Sequence, residues 1–181
     1  MRRLGFSALV LLALTSVGAP LAAQTAQKFS VQFSGLNARF GFFEGTESEF
    51  GTGGEIQFRY NPSSFSIGIG VQRTTHPVAT VDINFDGVFI EPRYVVNVGS
   101  DRFAPYASAR LMALTPNVEI QGVGFQGEDG VGIAGGGGIL IVLGSRVNLD
   151  FGVTAGKEVY NGGAAEGATL VTRLGLAIGL F

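Results

Sequence analysis

Apolar and polar side chains alternate along almost the whole of residues 28–181, and a chain written with a period of two has few folds open to it. Successive side chains of a strand point to opposite faces, so the alternation gives each strand one apolar and one polar face. In FSIGIGVQ (65–72), Phe65, Ile67, Ile69 and Val71 share one face, and Ser66, Gly68, Gly70 and Gln72 the other. GEIQFRY (54–60) sets Ile56, Phe58 and Tyr60 against Glu55, Gln57 and Arg59. NPSS (61–64) joins these two runs as a tight turn, so 54–72 reads as a hairpin.

The same period continues downstream. Ile90, Pro92, Tyr94 and Val96 oppose Glu91 and Arg93, with Pro92 predicting a bulge or a weakly paired position. Pro105, Ala107, Ala109 and Leu111 oppose Tyr106, Ser108 and Arg110. Val131, Ile133, Ile139 and Ile141 share a phase in a Gly-rich run. Val147, Leu149, Phe151 and Val153 oppose Asn148, Asp150, Gly152 and Thr154. Leu170, Leu174, Leu176, Ile178 and Leu180 oppose Arg173, Gly175, Ala177 and Gly179. In the first run Phe29, Val31 and Phe33 lead, then Leu36, Ala38, Phe40 and Phe42. One extra residue near Ser34-Gly35, a bulge, would explain that switch and would turn Arg39 to the polar face.

These runs predict eight strands, at about 28–43, 52–60, 65–74, 87–97, 103–114, 130–143, 146–157 and 168–181, with no convincing helical period anywhere. The connections 61–64, 98–102 and 144–145 are short, and 44–51, 75–86, 115–129 and 158–167 are long. Short turns at one end and long loops at the other describe an all-β, eight-stranded, up-and-down antiparallel barrel.

Which face lies inside decides what such a barrel is for. A secreted soluble barrel that binds an apolar ligand would bury the apolar face, whereas a transmembrane barrel turns it to lipid. Lipid is favoured because the polar face carries Arg and Glu among Gly and Ser, while Lys28 and Lys157 are the only lysines after the leader. The 29 glycines, about twice the usual ~7 %, sit mainly in the polar phase, where a narrow interior must fit long charged side chains. Aromatic residues near strand ends (Phe29, Tyr60, Phe65, Phe103, Phe181) suit interfacial girdles. No internal apolar run is long enough for a membrane helix. There is no cysteine, which excludes disulfides and Cys-ligated metals, and the net charge of −2 gives no basic field for nucleic acid.

The N-terminus, Arg2 and Arg3 followed by LGFSALVLLALTSVGAPLAA, reads as a secretory signal cleaved near Ala23 and Gln24, leaving residues 24–181 as a single barrel domain. Over that length the chain resembles the small eight-stranded outer-membrane barrels of Gram-negative bacteria, of the OmpA-transmembrane, OmpX and opacity-protein type. Its last strand carries a match to their closing signal in Arg173, Gly175, Ile178 and Leu180, with the terminal aromatic Phe181 one step out of phase with Leu180. The resemblance implies a bacterial outer-membrane location, recognition of that strand by the barrel-assembly machinery, contact with outer-membrane lipid and lipopolysaccharide, and a monomer. With no residues beyond Phe181, no periplasmic peptidoglycan-binding domain is expected.

The interior is then the chemically informative part. Glu55, Arg59, Glu91, Arg93, Arg110, Asp150 and Arg173 all fall on the inward face, and charges in a narrow barrel are costly unless paired. They should therefore pair, and the set reads either as a salt-bridged plug that fixes barrel shape or as a charged constriction that selects small ions. Other motifs carry less. GVGIAG (130–135) matches G-x-G-x-x-G but continues as strand, with no helix opening on it. In DINFDG, Asp82, Asn84 and Asp86 match half of a calcium loop, but Arg93 stands where the closing Glu belongs, so Asp86-Gly87 reads as an exposed hairpin tip with at most a weak cation site. His76, the only histidine, has Thr74 and Thr75 but no Ser beside it and reads as a solvated loop residue. Arg73 falls in the outward phase and reads as snorkelling to headgroup phosphates. Glu44, Glu47, Glu49, Glu119, Glu128 and Asp129 make the long loops acidic. The expectation is a non-enzymatic protein with no cofactor and no metal, in a structural or surface-interaction role, the alternative being a low-conductance pore.

Overall fold

A computed structural model describes residues 27–41, 50–78, 81–120, 123–161 and 166–180. The expected leader, most of the first long loop and Phe181 lie outside the described residues. Among the described residues nine strands follow in order: β1 (Phe29–Gly41), β2 (Phe50–Tyr60), β3 (Phe65–Val78), β4 (Val81–Val95), β5 (Phe103–Ile120), β6 (Val123–Gln126), β7 (Gly130–Val142), β8 (Val147–Tyr160) and β9 (Glu166–Gly179). Eight of them form a closed antiparallel up-and-down barrel in which each strand pairs its chain neighbour, β5 pairs β7, and β9 returns to β1. The extra strand, β6, pairs with the far end of β5 over Asn117–Ile120 and takes no part in the barrel wall. It lies in the stretch expected to be the 115–129 loop.

The apolar phase faces outward. Ile56, Ile69, Val71, Leu111, Ile133, Phe151, Leu174 and Leu176 are exposed on the outer wall, while Gln57, Ser66, Glu91 and Asp150 are fully buried within. That is the reverse of a soluble barrel, so the apolar-ligand reading loses its premise. Phe29, Phe58 and Tyr60 pack as an aromatic group where β1 meets the 61–64 turn, with centroids 5.6 and 5.2 Å from Phe29. The 96–102 turn is shaped by Gly99, whose φ of 71° suits a residue without Cβ. Its N–H donates to Asn97 Oδ1 at 2.9 Å.

One expectation about the wall needs correction, and another, at Pro92, resolves to one of its two alternatives. The pairing of β1 with β2 runs without a break from Phe29↔Tyr60 to Arg39↔Phe50, so there is no bulge at Ser34-Gly35. Leu36 and Ala38 are buried inside the barrel and Arg39 faces out, over the Phe50 ring at 5.4 Å. The apparent phase switch arose because the interior at that height takes apolar residues, Leu36 and Ala38, among buried polar ones such as Thr74 and Thr169. Pro92 leaves a gap in the β4–β5 ladder, but the register is unchanged on either side (Ile90↔Leu111, Arg93↔Ser108), so it is a weakly paired position rather than a bulge.

The long-loop end also differs. β3 and β4 extend their ladder to Val78↔Val81, beyond the strand ends expected at 74 and 87. Asp82 to Gly87 therefore lie within β4, and Asp86-Gly87 is not a turn. The run of alternating residues at 78–84 is what carries the strands past the expected boundary.

Candidate functional site

The interior is filled in layers. On the β4–β5–β7 side of the short-turn end, Val95, Ala104, Tyr106 and Leu140 form an apolar floor. Towards the long-loop end, Phe89, Met112, Leu114 and Ala134 form a second apolar layer, with Tyr160 against it. Between them sit the seven charged residues picked out in the sequence, all brought together and each at most 4 % exposed.

Glu91 of β4 is the hub. Its Oε1 accepts from Arg59 Nη2 at 2.7 Å and Arg93 Nη2 at 3.0 Å. Its Oε2 accepts from Arg110 Nη2 at 2.7 Å and Arg173 Nη1 at 2.9 Å. Glu55 of β2 takes the other sides of Arg110 and Arg173, at 2.9 and 3.2 Å. Asp150 of β8 accepts from Arg93 at 2.9 Å and lies 3.8 Å from Arg173 Nε. The network thus joins β2, β4, β5, β8 and β9 across the barrel. Each desolvated ion would cost several kcal/mol alone, and shared, well-aligned hydrogen bonds are what make the cluster tolerable.

Four members were not singled out in the sequence. The Tyr106 hydroxyl donates to Asp150 Oδ1 at 2.6 Å and accepts from Arg173 Nη2 at 3.0 Å, while the Arg93 guanidinium lies 3.9 Å over its ring. The tyrosine can reach the axis because Gly138 and Gly152 face it: a Cβ at either would stand 2.5 Å from the hydroxyl. Gln57 and Ser66 accept from Arg59 at 2.9 and 3.0 Å, and Gln72 accepts from Arg110 at 3.0 Å. All four share the phase of the charges, so continuing the alternation through uncharged residues finds them. The same rule places Phe89, Met112 and Leu114 inside, in phase with Glu91 and Arg110.

An open pocket of about 1070 Å³ borders Glu55, Gln72 and Leu114 together with the outward-facing Phe33, Ile56 and Val71, whereas the voids enclosed against the network are small. One void of about 10 Å³ lies between Arg110 and the upper layer, and another of about 20 Å³ opens at the short-turn end beside Arg59 and Arg93. Each is of the order of one water.

The remaining candidates lie apart from the network. His76 is in β3, not a loop; it is buried, 3.2 Å from Thr74 Oγ1 and edge-on to Phe85. Arg73 is on the outer wall, 63 % exposed, pairing Asp86 at 3.2 Å. Asp86 also accepts from Asn117 Nδ2 at 3.1 Å, and Asn84 accepts from Thr75 at 2.6 Å, so these half-loop residues have partners along the sheet. Among the described residues no group of three or more His, Asp or Glu could hold a metal. Of the last-strand motif, Gly175 faces the interior, Ile178 and Leu180 face outward, and Phe181 lies outside the described residues.

No protein-family model matches the sequence, and no curated protein matches it. Solved structures do match its shape. Neisserial surface protein A superposes with a TM-score of 0.73 at 17 % identity, covering 84 % of this chain and 97 % of that one. Ail, the attachment invasion locus protein of Yersinia pestis, gives 0.58 at 12 % identity, covering 84 % and 97 %. The outer membrane protein OprG of Pseudomonas aeruginosa gives 0.54 at 14 % identity, covering 87 % and 98 %. At these identities the likeness is one of fold: the chain has the architecture of small bacterial outer-membrane barrels, matched over nearly their whole length.

Proposed function

We propose that this chain is a non-enzymatic barrel of the bacterial outer membrane whose lumen is shut by its charge network and whose work is structural or done by the connections at its long-loop end. The observation that carries this is Glu91 holding four arginines at the barrel axis with apolar residues packed on both sides. An eight-stranded interior is just wide enough for side chains to fill, and here they fill it. Lipid contact follows from the apolar outer wall, and Arg73 beside Asp86 suits the level of lipopolysaccharide headgroups. Export by the leader, recognition of the last strand by the assembly machinery and a monomeric state are parts of the same reading.

The reading is tested by planar-bilayer conductance of the refolded protein. A plugged barrel gives no stable channels. Stable channels altered by Arg59→Ala or Arg93→Ala would overturn the plug in favour of a low-conductance pore. Heat-modifiable gel migration in detergent tests the membrane placement: a protein that stays folded and soluble without detergent would remove it.

A further inference from the structure

The network contains four guanidinium groups, Arg59, Arg93, Arg110 and Arg173, but three carboxylates, Glu55, Glu91 and Asp150. Glu158, the other buried acid among the described residues, stands beyond the Arg110 void, makes its hydrogen bond with Tyr160 at 2.6 Å and no ion pair. The cluster is therefore one negative charge short.

The shortfall has a location. Arg59 meets one carboxylate, Glu91, and shares its Oε1 with Arg93. Both arginines line the void of about 20 Å³ at the short-turn end, and the Nε of each is buried without a hydrogen-bond partner. The rest of this lining mixes hydroxyl donors with the amide groups of Gln32 and Asn148. The Ser30 hydroxyl oxygen is occupied as an acceptor by Asn61 Nδ2 at 3.1 Å, and that of Ser66 by Arg59 Nη1 at 3.0 Å, which leaves both hydroxyl protons free to turn into the void. The Gln32 amide has its Oε1 unpartnered and, turned over, presents Nε2 instead. A water would answer the hydrogen bonds but not the charge. A void of this size admits one water-sized body and excludes phosphate or a carboxylate ligand.

We propose that this void is a binding site for a single halide-sized monovalent anion, which completes the charge balance of the plug from the short-turn end. The proposal deepens the plugged-lumen reading and rests on it. Bromide serves as the probe. Crystals of the refolded full chain grown in sodium bromide should show an anomalous peak within hydrogen-bond distance of Arg59 Nε and Arg93 Nε. The urea midpoint should be higher in chloride or bromide than in gluconate at equal ionic strength. Gln57→Glu, which puts a carboxylate where an amide oxygen now meets Arg59 Nη2 at 2.9 Å, should abolish that difference. Absence of a bromide peak there, or peaks on the outer surface only, would overturn the site, as would equal midpoints in the three salts. Conductance of the same sample keeps the two readings apart: channels would sink the plug, whereas a silent barrel without bromide would sink the anion site alone.

Discussion

Glu91 Oε2 lies in the fork of the Arg110 guanidinium, 3.0 Å from Nε and 2.7 Å from Nη2, while the face of that guanidinium rests 3.9 Å over the Phe89 ring. One arginine thus ties the charge layer to the apolar layer above it. Removing the carboxylate leaves four buried cations with two carboxylates, Glu55 and Asp150. Glu91→Gln should lower unfolding stability by about 3–5 kcal/mol, the cost of orphaning a buried ion partner. Glu128→Gln, on an exposed connection, should stay within about 0.5 kcal/mol. Urea titration of the refolded protein in liposomes measures both.

Tyr106 and Gly152 form a second coupled pair. A Cβ at 152 stands 2.5 Å from the tyrosine hydroxyl, with Arg173 Nη2 next at 3.1 Å. Gly152→Ala should cost about 1–3 kcal/mol by overpacking. In a Tyr106→Phe background most of that cost should vanish, giving a coupling above about 0.5 kcal/mol. Gly138→Ala should not be rescued in this way, because its Cβ also runs into the Phe151 carbonyl oxygen of the neighbouring strand. A double-mutant cycle on each pair separates the two behaviours.

The charged interior was legible in the sequence because Arg and Glu in phase with Gly and Ser leave no other place for a polar face once the apolar face meets lipid. The hidden parts had physical reasons. Leu36 and Ala38 are apolar yet inside, so an apolar-means-outside rule misplaces them and invents a bulge to compensate. Tyr106 falls on the polar face in the sequence, but its reach to the axis depends on the side-chain-free Gly138 and Gly152 opposite, which alternation alone does not pair with it. His76 and Asp86 looked like loop residues because polar side chains continue β3 and β4 beyond the run of clear alternation, while the ladder persists.

The phase of β1 can be read directly, since the chain has no cysteine to interfere. Single cysteines at Asn37 and Arg39 should react with a maleimide in the folded, detergent-solubilised protein. Cysteines at Leu36 and Ala38 should react only after unfolding. A bulge at Ser34-Gly35 would reverse the two pairs.

Under the proposed membrane placement, the outer wall is sensitive to depth in a way a water-facing wall is not. Ile69 is 59 % exposed on β3, within the apolar band, whereas Thr75 lies further along the same face, beside Asn84 and past the Arg73–Asp86 pair. Ile69→Arg should destabilise the barrel in liposomes by about 2–4 kcal/mol, and Thr75→Arg by about 0–1 kcal/mol. Neither substitution touches the interior network, so the difference reports on the surroundings of the wall. If both variants unfold like the parent protein, the outward apolar phase does not face lipid.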